Sequence, residues 1–94
     1  MIVGTCRLQL RLPANGSLKG KRQIVRSIIA HIRTKFNVAV AEVDTQDSWQ
    51  LATLGIATVS TAPDHAHSLL TAVVRMVEEG HWDVELLDYA IEIV

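Results

Sequence analysis

The chain has 94 residues, of which 49% are hydrophobic, and its formal net charge at pH 7 is −1. This length fits one domain, residues 1–94, and this composition can build a core without disulfides or a structural metal. The single cysteine, Cys6, excludes an intrachain disulfide and fits a reducing compartment. We find neither an apolar run of about 18 residues nor a secretory leader pattern. We therefore expect a soluble cytoplasmic protein that does not enter the membrane.

Charge is divided unevenly along the sequence. Eight of the nine Lys and Arg residues lie between Arg7 and Lys35, and all ten acidic residues lie from Glu42 onward. Such an asymmetry indicates either a basic binding face or complementary charges that meet in the folded chain.

The N-terminal segment has the pattern of a half-buried strand. Residues Ile2–Leu12 alternate between apolar and polar side chains, and Cys6 belongs to the apolar set. Residues 13–16 (PANG) form a turn cluster that ends this strand. Ser17 follows at the position of a helix N-cap, where its hydroxyl can accept a hydrogen bond from an early helical N–H.

The segment Ser17–Phe36 has the clearest helical period in the chain. Apolar residues recur on one face of this helix, namely Leu18, Val25, Ile28, Ile29, Ile32 and Phe36. Its basic residues are Lys19, Lys21, Arg22, Arg26, Arg33 and Lys35, and it contains no acidic residue. Because ordinary surface helices mix both signs of charge, this set predicts a phosphate-binding surface for RNA.

The rest of the sequence predicts two strands, a second helix and a last strand. These elements are Asn37–Val43, Gln50–Ser60, a helix from Pro63 to about Gly80 with Thr61 as its N-cap, and Val84–Val94. The order β-α-β-β-α-β predicts a ferredoxin-like α+β sandwich. We expect four antiparallel strands in the order 4-1-3-2, with both helices on one face.

Three segments of the chain resemble the YlxP-like family of small bacterial proteins. They are SLKGKR at Ser17–Arg22, FNVAVAEVDTQDSWQLATLG at Phe36–Gly55 and VELLDYAIEI at Val84–Ile93. The chain departs from the family pattern at Gly20, usually acidic, and at Leu51, often basic. The resemblance implies a ferredoxin-like fold, and members of this family have no established enzymatic activity. It also implies, through genes that lie among those for translation and ribosome maturation, an RNA-related role.

No residue set predicts catalysis, metal binding or a small-molecule cofactor. Cys6 belongs to the core-facing side of its strand, where a thiol is structural. His65 and His67 are separated by one residue and diverge on a helix, whereas His31 and His81 are isolated in sequence. We therefore expect a protein that is not an enzyme and that has no dedicated metal site.

The predicted open face of the sheet lacks the aromatic residues with which RNA-recognition motifs stack bases. It is unusually rich in small and apolar residues, which predicts a homodimer through this face. The expected interface comprises Val3, Thr5, Arg7, Ala39, Ala41, Gly55, Ala57, Val59, Leu86 and Ala90. We also expect Arg7 and Arg11 to pair with Asp88 and Glu92 across the first and last strands.

The sequence thus favours a non-enzymatic RNA-binding accessory factor linked to translation or ribosome maturation. Its expected partners are RNA or a ribosomal particle, contacted through the first helix, and a second copy of the chain. Two alternatives remain open at this point. One is a homodimeric protein-interaction module that binds no nucleic acid, and the other is a small-ligand regulatory domain.

Overall fold

The computed structural model describes residues 1–94 without a gap. Its elements, in chain order, are β1 (Ile2–Arg11), α1 (Leu18–Lys35), β2 (Ala39–Glu42), β3 (Leu51–Ser60), α2 (Pro63–Glu79) and β4 (Glu85–Ile93). All six predicted elements are present with their predicted types. Strand β2 is shorter than the predicted Asn37–Val43 at both ends, and at its start the N–H of Val38 turns back to the carbonyl of Phe36 at 3.1 Å.

The strands form one antiparallel sheet in the order β2-β3-β1-β4. This is the predicted order, read from the opposite edge, and the α+β class is confirmed. Cys6 of β1 lies opposite Ile56 of β3 and Ile91 of β4. The buried residues of β1 alternate with exposed ones, so one face of the sheet belongs to the core and the other is open.

Both helices pack on the core face of the sheet. The largest fully buried apolar side chains come from both layers: Leu8, Leu10, Leu12 and Leu54 beside Ile28 and Ile32 of α1 and Leu70, Val73 and Val77 of α2. Neither helix combines the length and the apolar character that crossing a bilayer requires. The surface left for partners therefore divides between the outer sides of the helices and the open face of the sheet.

The first helix starts as predicted, whereas the second does not. The Ser17 hydroxyl accepts the Gly20 N–H at 3.0 Å, which confirms Ser17 as the N-cap of α1. The N-cap of α2 is Ala62, one residue later than the predicted Thr61, and no side chain caps this end. Instead, the Ser60 hydroxyl accepts the Ala62 N–H at 3.2 Å, and this local turn fixes where the helix begins.

A bulge changes which residues of β4 face the core. The register between β1 and β4 shifts between Gln9 and Leu10, so that Gln9 lies opposite Asp88 but Leu10 lies opposite Leu86. Leu87 is therefore the extra residue, and Leu86 packs against the core. The prediction that Leu86 lies on the open face is wrong, because a strict period of two cannot include an inserted residue.

Candidate nucleic-acid interface

The outer side of α1 carries a row of cations that we call the basic stripe: Lys19, Arg22, Arg26 and Arg33. All four side chains belong to exposed residues. Their spacing places them along one side of the helix, over about 21 Å of its axis. No carboxylate lies within ion-pairing distance of any of them. Four of the six predicted RNA-binding residues thus lie on one side of α1.

Lys21, the fifth predicted contact, is not part of this surface. Its side chain is only 1% exposed, and its ammonium lies 2.7 Å from Oε2 of Glu42. The same nitrogen donates to the carbonyl oxygens of Thr45, at 2.5 Å, and of Ser48. Because an ammonium has three N–H groups, all of its donors are occupied. Lys21 therefore anchors the β2–β3 loop to α1, and its prediction as an RNA contact is wrong.

The spacing of residues along α1 explains why the prediction for Lys21 is wrong. From Lys21, successive steps of four, three and four residues lead to Val25, Ile28 and Ile32, which are all buried. This places Lys21 within the apolar stripe of α1 rather than at the edge of the basic one. A lysine in such a position reaches a buried partner, and Glu42 is the first acidic residue of the sequence.

The two cations at the C-terminal end of α1, Arg33 and Lys35, differ from each other. Arg33 donates to the carbonyl of Val40 on the edge strand β2 at 3.1 Å, so part of its guanidinium is committed within the fold. Lys35 lies about half a turn round the helix from Lys19. It lines a groove of about 840 Å³ between the C-terminal halves of the helices, together with His31, Trp82 and neighbouring residues. Lys35 is thus separate from the basic stripe.

The two arginines of the open face are paired with carboxylates. Arg7 forms an ion pair with Asp44 at 2.5 Å, and Arg11 forms one with Glu85 at 2.6 Å. The predicted partners, Asp88 and Glu92, are wrong. Arg7 lies opposite Ala90, and the bulge in β4 places Glu85 opposite Arg11.

Asp44 reaches Arg7 because of an unusual turn after β2. Its backbone has a positive φ of 65°, in the left-handed region that Asp tolerates better than most residues. The Thr45 N–H closes this turn on the carbonyl of Val43 at 2.7 Å. Gly55 of β3 is paired with Arg7 on one side and with Ala41 of β2 on the other. It has no side chain to block the approach of the Asp44 carboxylate to Arg7. The polar character of residues 44–48 predicts a turn here, but the hydropathy pattern does not indicate the positive φ of Asp44.

The open face gathers nine of the ten residues predicted for a dimer interface, all except Leu86. They form three rows across the strands: Val3 beside Val59, Thr5 beside Ala57 and Ala39, and Arg7 beside Gly55 and Ala41, with Ala90 next to Arg7. A shallow groove of about 490 Å³ runs over these small residues. The face is therefore flat and closely approachable by another surface.

The thiol of Cys6 lies beneath this groove, on the core side of β1. The residue is 2% exposed, and burial raises the pKa of its thiol to about 11. Because the thiolate is the reactive form, Cys6 is a structural residue at neutral pH. No group of three or more His, Cys, Asp or Glu side chains comes close enough to hold a metal ion.

Sequence comparison places the chain in a protein family. The profile of DUF503, described as a protein of unknown function, matches residues 3–91. The chain is also 36% identical over 63 residues to "Uncharacterized protein YlxP" of Bacillus subtilis (strain 168). That similarity covers 67% of this chain and 68% of the Bacillus protein. The chain therefore belongs to the DUF503 family and is similar to YlxP.

Proposed function

We propose that this protein is a non-enzymatic RNA-binding accessory factor of the cytoplasm that acts in translation or ribosome maturation. The observation that carries the proposal is the basic stripe, in which Lys19, Arg22 and Arg26 are exposed and have no carboxylate partner. Cations held in a row on a rigid helix match the repeated negative charge of a nucleic-acid backbone.

The proposal assigns RNA to α1 rather than to the sheet. Arg7 and Arg11 already neutralise Asp44 and Glu85, and the open face carries further carboxylates on β4. Phosphates would meet repulsion there, whereas α1 contains no acidic residue from Ser17 to Phe36. Contacts of this kind position a nucleic acid without reading its sequence.

The fold type belongs to the same proposal. The β-α-β-β-α-β order, the strand order β2-β3-β1-β4 and the placement of both helices on one face support a ferredoxin-like domain. The Cys6 thiol is buried on the core side of β1 and its pKa is raised to about 11, so the one cysteine of the chain is not a nucleophile at neutral pH.

The proposal is tested by recovering the tagged protein from cells at native salt, with and without ribonuclease, and by titrating the purified protein with a labelled RNA hairpin. We expect co-purifying RNA or ribosomal particles that ribonuclease releases. Affinity for the hairpin should fall linearly on a double-logarithmic plot against salt, with a slope of about −3 to −4 if all four cations contact phosphates. Affinity that does not change with salt would contradict the assignment.

The open face favours a second function, that of a homodimeric interaction module that binds no nucleic acid. At about 4.8 Å between strands and about 3.4 Å per residue, a sheet of this size offers on the order of 600 Å². A standard interface uses about 800 Å² per partner. The row of small residues formed by Thr5, Ala57 and Ala39 can approach its own copy closely under a two-fold axis.

Sedimentation velocity at micromolar concentration tests this second function. We expect about twice the mass of one chain for the natural protein and for Ser68→Arg, which adds a charge to the exposed side of α2. Ala57→Arg adds the same charge in the middle of the open face and should give a monomer. A natural protein whose mass does not rise with concentration would exclude the dimer.

A further inference from the structure

We infer that Trp49 stacks on an unpaired base of the RNA that the basic stripe binds. The inference rests on the proposed function and narrows it to single-stranded RNA, or to RNA with an unpaired nucleotide beside the start of α1. Stacking on an indole tolerates every base, so this contact adds affinity for single strands without selecting a sequence.

The two tryptophans of the chain have different surroundings. Trp82 packs against the core, and its indole N–H donates to the Ser27 hydroxyl at 3.0 Å. Its ring also meets the ring of His31 edge-on, with 5.1 Å between centroids. Trp49 is 47% exposed, lies outside the core cluster, and its indole makes no hydrogen bond to the protein. Packing therefore accounts for Trp82 but not for Trp49.

The backbone of Trp49 is fixed to the beginning of α1. The Asn15 side-chain amide donates both to the carbonyl of Trp49 and, at 2.7 Å, to the carbonyl of Ser17, the N-cap residue. Asn15 can take this position because residue 20 is glycine, and a Cβ there would collide with its amide oxygen. Gly20 thus leaves room for the contact that holds the Trp49 carbonyl beside Ser17, two residues before Lys19.

The residues before and after Trp49 are also held by hydrogen bonds. Lys21 binds the carbonyls of Thr45 and Ser48 in the preceding residues. Gln50, the following residue, accepts the Leu12 N–H on its carbonyl at 2.8 Å. An exposed aromatic ring on a loop with so many anchors loses little conformational freedom on binding, which favours its use as a stacking platform.

The basic stripe and Trp49 offer an RNA different kinds of contact. The cations of the basic stripe hold phosphates, whereas the indole of Trp49 offers a π-face to a base that has left its stack. A continuous duplex presents no free base face and would use the stripe alone. Preference for a single strand over a duplex is therefore the property that Trp49 contributes.

The test compares a single-stranded RNA of about 12 nucleotides with the duplex of the same sequence. Both are titrated with the natural protein, Trp49→Ala, Trp49→Phe and the double variant Arg22→Glu/Arg26→Glu. We expect Trp49→Ala to bind the single strand on the order of tenfold more weakly and the duplex unchanged, and Trp49→Phe to retain most of the affinity. Intrinsic fluorescence should be quenched by the single strand in the natural protein but not in Trp49→Phe, which keeps Trp82.

The outcomes separate this inference from the proposed function. If the double variant loses binding to both RNAs while Trp49→Ala binds the single strand as the natural protein does, the stacking role is wrong and the proposed function stands. If the natural protein binds neither RNA, both are wrong. Thermal melting of Trp49→Ala serves as the folding control, and we expect it to match the natural protein because the side chain is outside the core.

Discussion

The basic stripe of α1 and the open face of the sheet both carry arginines, but their arginines are in opposite electrostatic states. Arg7 and Arg11 are each bonded to a carboxylate, whereas Arg22 and Arg26 face solvent without one. The same residue type thus stabilises the fold on one surface and is available for a partner on the other. A basic cluster in a sequence predicts a binding surface only after the positions of the acidic residues are known.

The difference arises from where the acidic half of the sequence folds. Strand β4 and the turn after β2 bring Glu85 and Asp44 to the open face, where they meet the arginines of β1. Glu42 is the one acidic residue that forms an ion pair with α1, and its partner is the buried Lys21. The outer side of α1 is therefore left positive, although the chain as a whole has a net charge of −1.

The largest effect is expected for Lys21, the cation of α1 that is paired in the same way as the sheet arginines. Lys21→Met removes the charge but keeps most of the buried stem, and it leaves Glu42 without its ion-pair partner and the carbonyls of Thr45 and Ser48 without the ammonium. We expect a loss of about 3 kcal/mol in the free energy of unfolding, measured by urea denaturation. Lys19→Met, the matched change on the basic stripe, should stay within about 0.5 kcal/mol. Equal losses would contradict the division between buried and free cations.

A second effect concerns the buried thiol of Cys6, on the core side of the sheet beneath the open face. The pKa of the Cys6 thiol is raised to about 11, above its ordinary value of 9.0. The unfolded chain therefore loses this proton before the folded one does, and stability should fall as pH rises from about 9 to about 11. We expect a decrease of about 2–3 kcal/mol attributable to Cys6. Below pH 9 the contribution is fully present.

Chemical denaturation across this pH range measures the decrease, and Cys6→Ala is the control because it removes the titrating group. The variant should lose less stability than the natural protein over the same range. At neutral pH, iodoacetamide should modify the thiol only after unfolding. Rapid modification of the folded protein would mean that the groove above Cys6 gives access to a reactive site.

Smaller effects are expected from the exposed ion pairs of the sheet. Arg11→Ala removes the contact with Glu85, and such exposed pairs contribute up to about 1 kcal/mol. Arg26→Ala on the basic stripe breaks no ion pair and should cost less. Thermal unfolding at low and high salt distinguishes the two variants, because only the loss of stability caused by Arg11→Ala should shrink when salt is added. A larger loss for Arg26→Ala would mean that the stripe has an undetected structural role.

The smallest effect has the opposite sign. Lys19 lies in the first turn of α1, where the helix dipole favours a negative charge, and no acidic residue occupies this turn. Lys19→Glu should therefore stabilise the fold by about 0.3–1 kcal/mol while weakening RNA binding. Lys19→Gln separates loss of charge from gain of the acid. Destabilisation by the acidic variant would show that Lys19 serves the helix rather than a ligand.

The sequence predicts the elements and their order well, because both depend on local periodicity. Alternation in β1 and the helical spacing in α1 are strong signals, and the hydroxyl of Ser17 marks the start of the helix. The basic stripe follows from the same period, since every residue from Lys19 to Arg33 has a computable side of the helix.

The errors lie where one inserted residue or one tertiary contact overrides local pattern. The bulge in β4 turns Leu86 toward the core and brings Glu85 to Arg11, and no local signal marks its position. The positive φ of Asp44 aims its carboxylate across Gly55. Lys21 is the exception, because its place within the apolar stripe of α1 is readable from the sequence.

The comparison between the two surfaces is tested most directly by removing two charges from each. Arg22→Gln/Arg26→Gln and Arg7→Gln/Arg11→Gln change the net charge equally, and their affinities for an RNA hairpin are measured across a range of salt concentrations. We predict that the first variant binds more weakly and that its salt slope is smaller by about 2, whereas the second keeps the natural affinity and slope. Loss of binding in the sheet variant with natural binding in the helix variant would contradict the account.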